Sequence, residues 1–251
     1  MSPATIVLVL PEVLGTYGDA GNAAVLATRL RWRGIDAEVR TVGWDDAVPA
    51  DADVYVLGGG EDAAQMLAVE RLRDSAGLRH ALDRGAPTLA VCAGLQILGR
   101  AFTVADGTRV AGLDRLDVET VPGRGARRIG DVTADPLVDG LSELLVGFEN
   151  HGGVTSLGPD AAPLARVRGN GAGNGTGDRL EGVVGGSVVG TYFHGPVLAR
   201  NPELADLLLT RALGDLPPLE VPEGVPSSTA RGLAARFRDR FSPDAARRAG
   251  A

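Results

Sequence analysis

Short runs of β-branched residues alternate with helical patterns in the first half of this 251-residue chain. Strands are predicted at 6–10, 37–42, 54–57 and 87–91, and helices at 22–32, at 62–84 and from 93 onward. Strands joined by helices form parallel sheets, because a parallel pair needs a long crossover connection. From 108 to 189 the apolar period changes to two, which indicates strands with little helix between them. We expect an α/β fold in three layers, with a mostly parallel central sheet and a β-rich second half.

The chain divides near residue 214. A last helical pattern covers 201–213, with Asn201 as a candidate N-cap and Pro202 in the first turn. Beyond it the composition becomes rich in Pro and Arg, with one amphipathic helical pattern at 228–241. We expect one domain over 1–214 and an appendage over 215–251.

Composition excludes several classes of function. Lys and Arg number 25 against 32 Asp and Glu, a net charge of −7 that argues against nucleic acid as the main ligand. One cysteine and three histidines leave no disulfide framework and too few ligands for a metal centre, so no metal is expected. The phosphate-loop pattern G-x-x-x-x-G-K-[ST] does not occur, so no ATP site is expected in this chain.

The amino-terminal segment also bears on location. No Lys or Arg precedes its short apolar run, which Pro11 ends, and no apolar stretch approaches the roughly 18 residues of a membrane span. We expect a cytoplasmic protein.

The single cysteine stands between a strand pattern and a helical pattern. Ala90 and Gly94, two positions to either side of Cys92, are small, as a sharp strand-to-helix turn requires. Such a turn exposes the sulfur close to a helix N-terminus, which favours the thiolate. Cys92 is therefore a candidate nucleophile, and the alternative is a buried cysteine that ends a central strand.

A thiolate nucleophile needs a general base, and histidine is the usual one. His80 lies in a charged helical pattern, which predicts a solvated surface position. His194 ends the apolar run 188–193, and catalytic groups collect at the carboxyl ends of parallel strands. His151 lies in the polar segment 147–153. We favour His194 over His151 as the base.

The glycine run 58–60 leaves a predicted strand and enters a predicted helix. Its backbone amides could bind an anion or an oxyanion, and a plain turn explains the same residues equally well.

Four segments resemble a known family: 14–22 (LGTYGDAGN), 58–65 (GGGEDAAQ), 147–153 (GFENHGG) and 190–206 (GTYFHGPVLARNPELAD). With Cys92 they span about residues 5 to 213. The chain resembles the class I glutamine amidotransferases of the cobyric acid synthase-like branch, in particular the GatD-type glutaminase subunits of lipid II isoglutaminyl synthase. The resemblance implies a class I glutamine amidotransferase-like fold and a Mur-ligase-like partner subunit, MurT.

The resemblance also implies catalytic roles. Cys92 would attack the side-chain amide of glutamine, with His194 as its base. The backbone amides of Gly60 and Ala93 would form the oxyanion hole.

Substrate binding would fall to Arg127, which stands where the family has a glutamine-binding arginine. The adjacent Arg128 is an alternative, and a solvated strand edge would explain both arginines without a ligand.

One position departs from the family pattern. Most class I amidotransferases have glutamate two residues after the catalytic histidine, where this chain has Pro196. The third member of the triad is therefore expected from the partner ligase, with Glu203 or Asp206 as local substitutes.

The implied function is that of a glutaminase subunit. It would deliver ammonia to the Mur-ligase-like partner, which would bind ATP and Mg²⁺ and amidate the D-glutamate α-carboxyl of lipid II in peptidoglycan synthesis. The lipid substrate would place the complex at the inner face of the membrane. Two alternatives remain: an amidotransferase for another acceptor, such as a corrinoid acid, and a non-catalytic docking subunit.

Overall fold

The computed structural model describes residues 2–223. The helices are α1 (Gly21–Arg31), α2 (Asp62–Arg73), α3 (Ala76–Asp83), α4 (Ala93–Leu98), α5 (Val197–Arg200) and α6 (Pro202–Leu213). The strands are β1 (Ala4–Val9), β2 (Ala37–Val42), β3 (Val54–Leu57), β4 (Thr88–Val91), β5 (Ala101–Thr103), β6 (Arg109–Ala111), β7 (Val118–Pro122), β8 (Arg128–Pro136), β9 (Leu145–His151), β10 (Gly153–Leu157), β11 (Ala165–Arg168), β12 (Leu180–Glu181), β13 (Val183–Gly185), β14 (Val188–Thr191) and β15 (Phe193–His194).

The central sheet has the order β13-β14-β4-β3-β1-β2, and all its pairs are parallel except β13 with β14. Every residue of β3 and β4 is buried, as expected for strands covered on both faces. Strand β2 lies beside β1 towards one edge of the sheet, whereas β4 lies beside β3 towards the opposite edge. Right-handed crossovers therefore put α1 on one face and α2 with α3 on the other. The predicted mostly parallel sheet of an α/β fold is confirmed.

The second half of the chain builds two smaller sheets. One has the order β10-β7-β5-β6, and the other is an antiparallel sheet with the order β12-β11-β8-β9-β15. The predicted β-rich second half is confirmed.

Three local expectations needed correction. The helix predicted over 62–84 is broken at Asp74, because Ser75 is extended and its hydroxyl caps a new helix by accepting the amide of Leu78. The helix predicted from 93 through the segment AGLQILGRAF (93–102) ends at Leu98, because Gly99 is extended, and the chain enters β5 at Ala101. Asn201 occupies the N-cap position of α6, but its side-chain amide instead bonds the backbone N–H and C=O of Val146 in β9.

The order of the central sheet creates a crevice. The connections that leave β1 and β3 run in opposite directions along the sheet, and ligand sites of open α/β sheets form at the carboxyl ends of strands at such a switch point. Loops that follow β1, β3, β4 and β14 meet at this edge.

Helix α6 ends at Leu213, next to the predicted domain boundary at 214. The helix predicted at 228–241 lies outside the described residues. Within residues 2–223, no helix combines the length and apolarity needed to cross a bilayer.

Candidate active site

Cys92 forms the turn between β4 and α4. Its backbone has φ 51° and ψ −106°, a conformation that side-chain-bearing residues rarely adopt, and its N–H donates to the carbonyl of Thr191 at 2.8 Å. A side chain at Gly94 would lie 2.9 Å from the Cβ of Leu57, so a small residue is required there. The predicted strand-to-helix turn is confirmed, and its strain is characteristic of a nucleophile presented on such a turn.

His194 is fully buried at the end of β15, in the antiparallel sheet rather than in β14. Its Nδ1 lies 2.9 Å from Oδ2 of Asp19, which also accepts the backbone N–H of Gly59 at 3.0 Å. An ionised carboxylate only accepts hydrogen bonds, so Nδ1 carries a proton and donates it. This leaves Nε2 for the reaction, and that buried atom has no hydrogen-bond partner among the described residues.

Gly59 is the point on which three functional side chains converge. A Cβ at this position would lie 2.9 Å from Cε1 of His194, 3.1 Å from Oδ2 of Asp19 and 3.3 Å from Cβ of Cys92. A Cβ at the preceding Gly58 would lie 2.0 Å from the carbonyl oxygen of Leu14. The glycine loop is thus required by close packing around the nucleophile and the histidine.

The surroundings of His194 determine its charge. Burial lowers its pKa, but the hydrogen bond to Asp19, the proximity of the Cys92 thiol and the charges of both groups outweigh burial and raise the pKa to about 9. The ring is therefore a cation at neutral pH, next to the only cysteine of the chain.

Asp19 is the functional residue that the sequence analysis missed. It is fully buried and lies in the loop after β1, within the segment 14–22 that carries the family resemblance. Its place in the loop that joins β1 to α1 was the available signal, since loops at the carboxyl ends of parallel strands form the ligand-binding edge. Asp19 thus provides His194 with a carboxylate that was not among the expected sources, which were the partner ligase, Glu203 and Asp206.

The two local substitutes considered from the sequence are engaged elsewhere. Glu203 accepts hydrogen bonds from the backbone and hydroxyl of Ser142 and from the backbone of Glu143. Asp206 pairs with Arg29 at 2.5 Å and with Arg33 at 2.9 Å. Neither carboxylate is bonded to His194.

A cavity of about 480 Å³ opens onto Cys92. Gly60 forms part of its wall, and Ala93 is the first residue of α4, where a backbone N–H has no acceptor within the helix. Both candidate oxyanion-hole residues thus flank the sulfur-bearing turn. The polar side chains in the wall include Gln65, Gln96 and Thr120.

The structure separates the two candidate arginines. Arg127 lines the cavity of Cys92, where it bonds Asn150 and Glu61. Arg128 lines a different cavity, with Glu149. Arg127 is therefore the arginine that shares a cavity with Cys92.

His151 also lines the cavity. It is buried, its ring stacks on Tyr192 at 4.0 Å between centroids, and its Nδ1 donates to the carbonyl of Gly153 at 3.1 Å. Burial lowers the pKa of His151 to about 4, so the ring is neutral at neutral pH. No carboxylate is bonded to it among the described residues, in contrast to His194. His80 is exposed on α3, as predicted.

The comparisons with known proteins agree with this geometry. Residues 5–202 match the CobB/CobQ-like glutamine amidotransferase domain. The chain is 36% identical over 214 residues to the lipid II isoglutaminyl synthase (glutamine-hydrolyzing) subunit GatD of Staphylococcus aureus, covering 84% of this chain and 85% of that one. It is 35% identical to the subunit of the same name in Streptococcus pneumoniae, over 80% of this chain and 77% of that one. A cobyric acid synthase of Methylorubrum populi is 38% identical over 60% of this chain but only 30% of its own length.

Solved structures support the fold alone. A crystal structure of a glutamine amidotransferase superposes with a TM-score of 0.54 at 21% identity, covering 82% of this chain and 98% of that one. A second, from Thermotoga maritima, gives 0.50 at 19% identity over 84% and 83%. Because the family match covers residues 5–202 and the two GatD relatives are 35–36% identical over 80–84% of this chain, the chain belongs to the CobB/CobQ-like glutamine amidotransferases.

Proposed function

We propose that this chain is the glutamine-hydrolysing subunit of a lipid II isoglutaminyl synthase, which releases ammonia for a Mur-ligase-like partner. The observation that carries the proposal is the convergence of Cys92, His194 and Asp19 around Gly59, with Cys92 also lining a cavity, because a nucleophile, its base and an orienting acid are what acyl transfer requires. The names of the two aligned GatD relatives support the acceptor.

In the first half of the reaction, the Cys92 sulfur attacks the carboxamide carbon of glutamine. The carbonyl oxygen becomes an oxyanion, which the N–H groups of Gly60 and Ala93 stabilise. His194 then donates the proton on Nε2 to the departing nitrogen, the C–N bond breaks, and ammonia leaves behind a γ-glutamyl thioester.

In the second half, His194 acts as a base. It takes a proton from water, the resulting hydroxide attacks the thioester carbon, and the C–S bond breaks to release glutamate and regenerate Cys92. The carboxylate of Asp19 holds the imidazole by its Nδ1 proton in both halves and stabilises the charged ring. Asp19 is therefore a positioning residue, and this chain supplies the complete triad.

Arg127 binds the α-carboxylate of glutamine in this proposal. It supplies a guanidinium in the wall of the cavity, and a guanidinium matches the planar carboxylate with two parallel hydrogen bonds.

Ammonia becomes useful only if the acceptor carboxyl is activated. We propose that ATP and Mg²⁺ bind to the Mur-ligase-like partner, which activates the α-carboxyl of D-glutamate in lipid II at the inner face of the membrane. The corrinoid alternative has weaker support, because the cobyric acid synthase relative aligns over only 30% of its own length.

The test is amidation of lipid II by the chain reconstituted with its partner, ATP and Mg²⁺. With L-glutamine as nitrogen source, the wild-type complex should amidate and a Cys92→Ala complex should not. With ammonium chloride instead, the two complexes should be equally active, because only ammonia production has been removed. A Cys92→Ala complex that still used glutamine would support the docking-subunit alternative.

A further inference from the structure

An ion pair lies at the cavity that opens onto Cys92. Arg127 places Nη2 3.3 Å from Oε1 of Glu61 and Nη1 3.5 Å from its Oε2. Each ion has a second, uncharged partner: Asn150 accepts from Arg127 through its side-chain and backbone oxygens, and the hydroxyl of Tyr17 donates to Glu61 at 3.4 Å. Both ions are therefore held at the cavity independently of one another.

The contact between the two ions is easy to open. Their side chains are 41% and 62% exposed, and exposed pairs contribute only about 0–1 kcal/mol. Glutamine carries one carboxylate and one ammonium on its α-carbon. Arg127 can therefore exchange Glu61 for the substrate carboxylate, while Glu61 exchanges Arg127 for the substrate ammonium, and the net charge of the site does not change.

No other ion of the cavity is equally suited to the ammonium. Among the described residues of its wall, the carboxylates are Glu61 and Asp62. Oδ2 of Asp62 already accepts the backbone N–H of Ala105 at 2.9 Å. His151 is a neutral acceptor, which attracts a cation less strongly than a carboxylate does.

We propose that Glu61 is a substrate-binding residue that receives the α-ammonium of glutamine, while Arg127 receives the α-carboxylate. The inference rests on the proposed glutaminase function and adds a residue that determines which carboxamides the site accepts. The site selects free α-amino acids, and it rejects carboxamides that lack one of the two charges, including glutamine inside a peptide.

The test measures the activity of the Glu61→Gln and Arg127→Gln variants, in the reconstituted complex, on L-glutamine and on two analogues that each lack one of its charges. 4-Carbamoylbutanoate is glutamine without its ammonium, and 4-aminobutanamide is glutamine without its carboxylate. Glu61→Gln should raise KM for L-glutamine about 10-fold with little change in kcat, because a charge-assisted hydrogen bond is lost. It should leave kcat/KM, or the inhibition constant, of 4-carbamoylbutanoate nearly unchanged. Arg127→Gln should likewise raise KM for L-glutamine but leave kcat/KM, or the inhibition constant, of 4-aminobutanamide nearly unchanged.

Asp62→Asn is the matched control, since it removes the same charge at the adjacent position and should leave the preference for glutamine over 4-carbamoylbutanoate intact. Equal losses on glutamine and 4-carbamoylbutanoate in Glu61→Gln would overturn the inference, because they would mean that Glu61 only positions Arg127. If 4-carbamoylbutanoate does not bind the wild type, an unchanged KM for L-glutamine in Glu61→Gln overturns it. Absence of any glutamine hydrolysis by the folded wild-type complex would instead refute the proposed function.

Discussion

Replacing Asp19 with Asn removes one charge and keeps the size of the side chain. If the amide oxygen occupies the place of Oδ2, it can still accept from Gly59 and from His194, but without the negative charge. If the amide is turned over, its NH₂ group faces the Nδ1 proton of His194 and forces the ring into the other tautomer. Both outcomes disable the base while leaving the fold in place.

The size of the effect follows from the pKa of His194. Its rise from an ordinary 6.5 to about 9 corresponds to a preference for the imidazolium of roughly 3 kcal/mol, and the hydrogen bond to Asp19 is the largest favourable contribution. Losing most of this stabilisation should lower kcat by about 10²-fold, since each 1.4 kcal/mol is roughly a factor of ten. A wrong tautomer would extend the loss towards about 10⁴-fold, the cost of the same substitution in serine protease triads.

The assay is glutamate release from L-glutamine by purified chain, alone and with its partner. Asp19→Asn should lose activity to the same extent in both, because the acid belongs to this chain. Glu203→Gln is the matched control: it removes a carboxylate that bonds Ser142, and kcat should be unchanged. Thermal unfolding of each variant should confirm that the folded fraction is the same.

A pH series adds an independent readout. A histidine whose folded pKa is raised contributes stability that is fully present below pH 6.5 and is lost as pH rises through about 9. The stability advantage of wild type over Asp19→Asn should therefore shrink across that window. An Asp19→Asn chain with wild-type kcat, or one that loses activity only when the partner is present, would refute the assignment of Asp19 as the acid that orients His194. Such a result would favour an acid supplied by the partner.

His194→Ala should lower kcat by about 10²- to 10⁴-fold and His151→Ala should lower it less, since only His194 is bonded to a carboxylate; glutamate release measures both, and the reverse ranking would contradict the choice of base. Gly59→Ala should abolish glutamine hydrolysis in a folded protein, because the new methyl group would lie 2.9 Å from the His194 ring; normal activity with normal circular dichroism would show that the packing is looser than described. The lowered pKa of His151, about 4, means that the unfolded chain binds this proton at higher pH than the folded chain does, so the free energy of unfolding falls as pH drops from 6.5 towards 4. In denaturant titrations His151→Gln should reduce that fall by up to roughly 3 kcal/mol, and an equal fall in both proteins would mean that His151 is not buried as a neutral ring.

Apolar periodicity and the placement of small residues in the sequence correctly predicted individual strands and the turn at Cys92. The runs at 37–42 and 54–57 coincide with β2 and β3, and small residues on both sides of Cys92 indicated the turn correctly. The break at Ser75 was missed because apolar periodicity continues through it, and only the hydroxyl that caps α3 reveals a new helix start.

The acid of the site depends on distant parts of the chain. Asp19 and His194 are 175 positions apart, and no spacing rule connects a residue after β1 with one after β14. The family pattern directed attention to the residue two positions after the histidine, where Pro196 stands. Strand order is what brings the loop after β1 to His194, and strand order could not be derived from periodicity.

Hydrolysis of glutamine by this chain depends on Cys92 as the nucleophile. The most direct measurement is glutamate release by Cys92→Ser in the reconstituted complex, compared with wild type at equal folded concentration. The serine hydroxyl fits the same strained turn but is far less ionised than a thiol, so we expect no glutamate above background. Hydrolysis of glutamine by folded Cys92→Ser at the wild-type rate would contradict this expectation.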